Sequence, residues 1–131
     1  MNTAAPRVAY TRLAADAFKG LLAVSTTVHA SSLDHELQEL VYLRVSQING
    51  CAFCLHMHVA DAVKAGETDL RIHLLSAWRE SVMFTDRERA ALNWTEVLTN
   101  IAAKGAPDAS EGALLRAVRW AVEDRDVDAA R

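Results

Sequence analysis

Glycine stops and polar helix caps divide this sequence into helix-length segments, and this punctuation most constrains the fold. Gly50, Gly66 and Gly105 follow stretches of helical apolar periodicity, and glycine readily takes the left-handed backbone of a helix C-terminus. Thr85 and Glu88 have the spacing of a capping box. The predicted helices cover about residues 11–29, 34–49, 51–65, 69–78, 85–98 and 108–122. Candidate caps are Ser32 or Asp34 for the second helix and Thr68 or Asp69 for the fourth.

No segment sustains the period-two alternation of a half-buried strand, so we expect no strand. The sequence therefore predicts an all-α, compact bundle of five to six helices, with a Cys-x-x-Cys pair at a helix N-terminus. The same pattern excludes the thioredoxin fold, the usual host of such a redox pair. With 131 residues, 51% of them hydrophobic, the chain can form one core. We expect a single domain over residues 1–131, with about 1–10 and 123–131 frayed.

The charge balance bears on the class of partner. A formal net charge of −3 argues against a protein that binds nucleic acid or an anionic membrane, because such proteins need a surplus of positive charge. No apolar run approaches the roughly 20 residues of a membrane span, and residues 1–10 lack the pattern of a signal peptide. We therefore expect a cytoplasmic protein without nucleic-acid or membrane partners.

The two cysteines of the chain, Cys51 and Cys54, lie in one tetrapeptide directly after Gly50. A structural disulfide normally closes a longer loop, so this spacing favours thiol chemistry. The N–H groups and dipole at the start of a helix favour a thiolate there. An ordinary cysteine is only about 3% thiolate at pH 7, and lowering its pKa by about two units takes roughly 2.7 kcal/mol. A helix terminus supplies about 2 kcal/mol at most, so a second activator is required.

His58 is the predicted activator of Cys54. It follows Cys54 by four residues, so both side chains lie on one face of the same helix, where an imidazole can take the thiol proton. Such a base needs an orienting partner, and we predict Glu39 on the preceding helix, because the turn at Gly50 folds the two helices against each other. Supporting candidates on the same stripe are Tyr42 or Leu43, Ser46 and Asn49. These groups require no cofactor.

Two other interpretations of the cysteines stay open. With His58 as a third ligand they could form half of a zinc site, although structural zinc usually takes four protein ligands and the chain has no second Cys-x-x-Cys. They could also be small core residues. We predict no metal site. The remaining histidines are expected at the surface or in local hydrogen bonds, and the tryptophans in core or subunit packing: His29, His35, His56, His73, Trp78, Trp94 and Trp120.

Residues 39–58 carry a specific pattern, E-x11-C-x2-C-x3-H, within the stretch ELVYLRVSQINGCAFCLHMH. This stretch resembles the alkylhydroperoxidase AhpD branch of the carboxymuconolactone decarboxylase superfamily. Residues 62–68, 78–81 and 84–92 also resemble that branch, and the likeness extends over about residues 11–108. The Cys-x-x-Cys motif alone would be a weak indication of this family, whereas its combination with the glutamate and the histidine at this spacing is highly specific.

The resemblance implies an all-helical protein that assembles as a homo-trimer or homo-hexamer and reduces hydrogen or alkyl peroxides. It implies that Cys54 attacks the peroxide, that Cys51 is the proton donor and resolving thiol, and that a Cys51–Cys54 disulfide results. It makes His58 the base and Glu39 the end of the proton relay. An external dithiol or lipoyl-type reductant reopens the disulfide. Alternatives are a disulfide reductase or adaptor for a protein or lipoyl disulfide, and a non-enzymatic helical module with a structural Cys/His metal site.

Overall fold

A computed structural model describes residues 8–105, in which all regular secondary structure is helical. By their internal contacts these residues belong to two units, 8–33 and 34–105. The all-α prediction is confirmed for this part of the chain. The predicted helix at 108–122, with Trp120, and the predicted frayed end at 123–131 lie outside the described residues, as do residues 1–7.

The first unit contains helix α1, Tyr10–Leu13, and helix α2, Ala15–His29. The prediction of one continuous helix over 11–29 is therefore wrong, because Ala14 interrupts it. The backbone of Ala14 lies outside the helical region, with φ −128° and ψ 46°. Within this unit no side chain of α1 or α2 is buried. The rings of Tyr10 and Phe18 contact each other edge to face across the break, 5.6 Å between centroids.

The second unit begins with α3, His35–Ile48, and α4, Ala52–Lys64. Between them Gly50 takes a left-handed φ of +60°, as its position predicts. The N–H of Cys51 donates to the carbonyl of Ser46 (3.1 Å) and that of Gly50 to the carbonyl of Gln47 (3.2 Å), the two bonds of a Schellman motif. Cys51 is thus the N-cap of α4, and the prediction that the Cys-x-x-Cys pair lies at a helix N-terminus is confirmed.

The N-terminus of α3 differs from one expectation. Asp34 is its N-cap residue, but its carboxylate makes no capping hydrogen bond. It accepts instead from Arg87 Nη1 at 2.5 Å, a partner 53 residues away. A charged hydrogen bond to a guanidinium here takes the place of the bond to the helix N–H.

The remaining helices are α5, Asp69–Leu74, then a 3-10 turn, Leu75–Ala77, then α6, Asp86–Thr99, and α7, Ile101–Lys104. The predicted fourth helix is shorter than expected, since α5 tightens into the 3-10 turn before Trp78. Thr68 caps α5 by accepting from the N–H of Arg71. The capping box of Thr85 and Glu88 is present in full.

Helix α3 packs against both α4 and α6, and its buried face forms the centre of the core. The buried apolar cluster consists of Leu40, Leu43, Leu75, Trp78, Phe84 and Leu92. From α4, Leu55 and Val59 pack against this cluster. The helix that carries the cysteines is thereby fixed to α3, which carries Glu39.

Glu96 on α6 forms hydrogen bonds both to a buried core residue, Trp78, and to two arginines at the edge of the core. Its Oε1 accepts from Trp78 Nε1 at 2.8 Å and from Arg44 at 2.6 and 2.8 Å, and its Oε2 accepts from Arg79 at 2.8 Å. Burial alone would raise the pKa of Glu96, but the hydrogen bonds from Trp78, Arg44 and Arg79 outweigh it and hold this pKa below its ordinary value. An ionised Glu96 is therefore part of the folded structure.

We expect the free energy of unfolding to fall as the pH drops below the ordinary carboxyl pKa of 4.5, with Glu96 responsible for part of the loss. Because its pKa is lowered in the folded state, the unfolded state binds the proton first. The stabilisation is fully present above the ordinary pKa of 4.5 and is lost as the pH falls through the folded value. Urea denaturation should show Glu96→Gln to be less stable at neutral pH and less sensitive to acid. Glu80→Gln, at an exposed position, should keep the wild-type pH slope; an unchanged slope in Glu96→Gln would contradict the assignment.

Candidate active site

Cys51 and Cys54 lie half-buried at the start of α4 and are joined by a disulfide. The Sγ of Cys51 accepts from the N–H of Cys54 at 3.3 Å, so the sulfur itself caps the helix. The polar N–H groups of the first turn are the groups that favour negative charge on a sulfur. The turn at Gly50 and the following helix therefore place the thiol pair in an electrostatic environment suited to thiol–disulfide chemistry.

His58 lies one helical turn after Cys54 on α4, and its ring is held by the preceding helix. Its Nδ1 is 2.9 Å from Oε2 of Glu39 on α3. The side chain of Glu39 is only 4% exposed and that of His58 17% exposed, so solvent screens this contact little. The structure brings together the predicted base and its predicted orienting carboxylate.

The contact between Glu39 and His58 determines which ring nitrogen of His58 can accept a proton. An ionised carboxylate can only accept hydrogen bonds, so Nδ1 carries the hydrogen in this pair. In that tautomer Nε2 holds the lone pair and is the atom able to take a proton. A histidine whose Nδ1–H donates to a carboxylate is also stabilised when its ring becomes charged. The pair can thus accept a proton and return it.

Tyr42, three residues after Glu39, covers one face of the His58 ring. The two ring centroids are 5.1 Å apart and the ring planes differ by 26°, which is a stacked arrangement. Burial, and secondarily the charge of Glu39, raises the pKa of Tyr42 above its ordinary value. The phenol therefore stays neutral across the pH range in which thiols titrate. Helical spacing alone allows either Tyr42 or Leu43 at this position; the structure places Leu43 in the core and Tyr42 on the imidazole.

The other two supporting candidates lie at the end of α3. Ser46 is buried, and its hydroxyl donates to the carbonyl of Tyr42 at 2.7 Å, while its own carbonyl accepts from the N–H of Cys51. Ser46 therefore supports the turn that positions the cysteines. Asn49 is exposed at the C-cap of α3, where its backbone N–H donates to Val45. The structure does not bring Asn49 into a described contact with His58 or the cysteines.

The remaining histidines and tryptophans bear on the other interpretations of the sequence. The histidines outside the site are exposed, as expected: His29, His35, His56 and His73. Trp78 is buried in the core and Trp94 is half-buried. Among residues 8–105, no three cysteine, histidine or acidic side chains are grouped so that they could hold a metal ion. In the same residues no helix has the length and hydropathy that crossing a bilayer requires.

Comparison with known proteins identifies relatives of this arrangement. The sequence profile of the carboxymuconolactone decarboxylase family matches residues 14–97. An uncharacterized Bacillus subtilis protein, YdfG, is 42% identical over 102 residues, which are 78% of this chain and 69% of that protein. An uncharacterized Escherichia coli protein, YnjA, is 36% identical over 69 residues, which are 50% of this chain and 36% of that protein.

A solved structure extends the comparison to the fold. The crystal structure of a protein of unknown function from Agrobacterium tumefaciens, described as a candidate antioxidant defence protein AhpD, has a TM-score of 0.73 and 41% identity. The match covers 86% of this chain and 77% of that one. Together with the family profile and the Cys-x-x-Cys at the start of α4, this likeness assigns the chain to a family and to a branch of it. The chain belongs to the carboxymuconolactone decarboxylase family, in its AhpD-like branch.

Proposed function

We propose that the protein is a cofactor-free thiol peroxidase that reduces hydrogen or alkyl peroxides. The observation that carries the proposal is the 2.9 Å contact between Glu39 and His58, one helical turn from a Cys-x-x-Cys pair at the start of a helix. A buried carboxylate that orients a histidine is the arrangement that activates a neighbouring thiol as a nucleophile. The likeness to the Agrobacterium protein supports a role in antioxidant defence.

In the first step, Nε2 of His58 takes the proton of Cys54 in the reduced protein. The thiolate then attacks one oxygen of the peroxide, so that an S–O bond forms and the O–O bond breaks. The sulfur is oxidised to a sulfenic acid, and the peroxide is reduced to water or an alcohol. The leaving oxygen takes its proton from the imidazolium of His58, which the carboxylate of Glu39 stabilises.

In the second step, the thiol of Cys51 attacks the sulfur of the Cys54 sulfenic acid. An S–S bond forms, the S–O bond breaks, and the hydroxyl leaves as water with the proton of Cys51. The product is the Cys51–Cys54 disulfide seen in the structure. An external dithiol, of the lipoyl type or on a protein, supplies the two electrons and two protons that reopen it. The predicted homo-trimer or homo-hexamer and the cytoplasmic location stay predictions.

A single-turnover experiment tests this function. Protein reduced with dithiothreitol and then freed of it is mixed with hydrogen peroxide, with cumene hydroperoxide or with oxidised lipoamide, and tryptophan fluorescence is followed. We expect rapid consumption of one peroxide per chain, coupled to formation of the disulfide. Slow reaction with both peroxides and fast exchange with lipoamide would favour the disulfide reductase or adaptor instead. Protein alkylated with iodoacetamide is the control, and a peroxide rate no higher than in this control would overturn the proposal.

A further inference from the structure

The hydrogen bond between Glu39 and His58 does not by itself prevent rotation of the imidazole ring. A contact at Nδ1 restrains that atom, but the carboxylate of Glu39 can move with it, so the ring can still turn about its own Cβ–Cγ bond. Such a turn swings Nε2 away from the thiol it serves, and proton transfer requires heavy atoms within about 2.6–3.2 Å or one bridging water. A second contact is needed to hold the plane of the ring.

The stacked ring of Tyr42 is such a contact. At 5.1 Å between centroids and 26° between planes, it lies against the face of the imidazole and not against its edge. Tyr42 and Glu39 are three residues apart on α3, so one rigid helix supplies both restraints on His58. The hydroxyl of Ser46 donates to the backbone carbonyl of Tyr42 at 2.7 Å, a local contact in the same part of α3.

We propose that Tyr42 is a positioning residue for His58, which fixes the plane of the imidazole and stabilises its charged form while Cys54 is ionised. The proposal rests on the proposed function of the site. The face of an aromatic ring attracts a cation within about 6 Å of its centroid, and the imidazolium formed by proton transfer from the thiol is such a cation. The contact therefore favours the thiolate–imidazolium pair over the neutral pair.

The titratable groups described around His58 allow this effect to be isolated. From α3 they are Glu39 and Tyr42, and from α4 it is Asp61. Cys54 lies one helical turn before His58 on α4 and titrates only in the reduced protein. The hydrogen bond from Lys64, at 2.7 Å, lowers the pKa of Asp61, so that this carboxylate keeps its charge from neutral to alkaline pH. The raised pKa of Tyr42 keeps its phenol neutral in the range of thiol ionisation. A change in thiolate formation that is present in Tyr42→Leu and absent in Tyr42→Phe then reflects the lost ring.

The test measures the thiolate directly in the reduced protein, by its absorbance near 240 nm as a function of pH, so it does not depend on turnover. In Tyr42→Leu we expect the midpoint of thiolate formation to move to higher pH. We also expect the rate constant with peroxide at pH 7 to fall about two- to fivefold, the range that a ring–cation contact sustains. The rate deficit should narrow at alkaline pH, where the thiol ionises without a base.

Three controls decide the outcome. Tyr42→Phe keeps the ring and should recover most of the thiolate formation that Tyr42→Leu loses; a loss in Tyr42→Phe equal to that in Tyr42→Leu would assign the effect to the hydroxyl and overturn the proposal. In a His58→Gln background Tyr42→Leu should have no further effect, and a full additional effect there would also overturn it. If Tyr42→Leu is poorly folded, Tyr42→Met replaces it. A further outcome is that the wild-type protein forms the thiolate below the pH at which an ordinary thiol ionises and yet does not react with peroxide. That result would refute the peroxidase function, while the effect of Tyr42→Leu on the thiolate midpoint would still test the role of Tyr42.

Discussion

Replacing Cys54 with serine should reduce peroxide consumption to the rate of the protein-free reaction, even with excess dithiol. A serine hydroxyl ionises far less readily than a thiol, and its oxygen cannot form the sulfenic acid on which the next step depends. The substitution is close to isosteric at a half-buried position, so the helix and its contacts with α3 should persist. The measurement is peroxide loss in single and multiple turnover, with circular dichroism to verify the fold.

The matched control for this prediction is Cys51→Ser, which removes the other thiol of the same pair. That variant should still consume one peroxide in a single turnover, and dimedone should trap the sulfenic acid on Cys54, because no second thiol is left to resolve it. Cys51 is a real competitor for the first step, since its Sγ already accepts the N–H of Cys54 at the helix N-terminus. Retained turnover in Cys54→Ser, together with an inert Cys51→Ser, would reverse the assigned roles.

Local signals predicted those parts of the fold that local interactions decide. The left-handed Gly50 and the capping box at Thr85 involve residues only a few positions apart, and both appear as the sequence indicated. Contacts between distant residues were not predictable in this way. Asp34 has the identity of an N-cap, yet its carboxylate bonds Arg87, a residue that no local pattern connects to it. The interruption at Ala14 carries no glycine or proline signal at all.

The same distinction applies to the site. The pairing of Glu39 with His58 could be predicted because a short turn joins their helices, so helical spacing on each side limits which residues meet. Spacing alone did not choose between Tyr42 and Leu43, since neighbouring helix positions lie about 100° apart and either could border the stripe. The choice depended on which side chain the core buries, and that is Leu43. No local pattern marks Glu96 as a structural residue, because its partner Arg44 is 52 residues away.

The second large effect should follow from Glu39→Gln, which keeps the volume of the buried side chain and removes its charge. An amide can donate to Nδ1 of His58, which favours the tautomer whose Nε2 carries a hydrogen and cannot accept a proton from the thiol. The imidazolium also loses its counter-ion in a site that solvent hardly reaches. We expect the peroxide rate constant near pH 7 to fall about 100-fold or more, within the range attributed to positioned acid–base groups.

The pH dependence of this loss separates a proton-transfer role from a structural one. At about pH 9.5, where much of an ordinary thiol is ionised without help, the deficit of Glu39→Gln should shrink several-fold, since thiolate formation no longer requires His58. Glu36→Gln removes an exposed carboxylate from the first turn of the same helix and should leave the rate within about twofold of wild type. A Glu39→Gln variant with a wild-type rate at neutral pH, or with a deficit that is the same at every pH, would show that Glu39 does not act through the proton on His58. The unfolding transition of each variant verifies that the compared proteins are folded. The difference between the pH profiles of Glu39→Gln and Glu36→Gln then measures how much the buried carboxylate contributes to thiol activation.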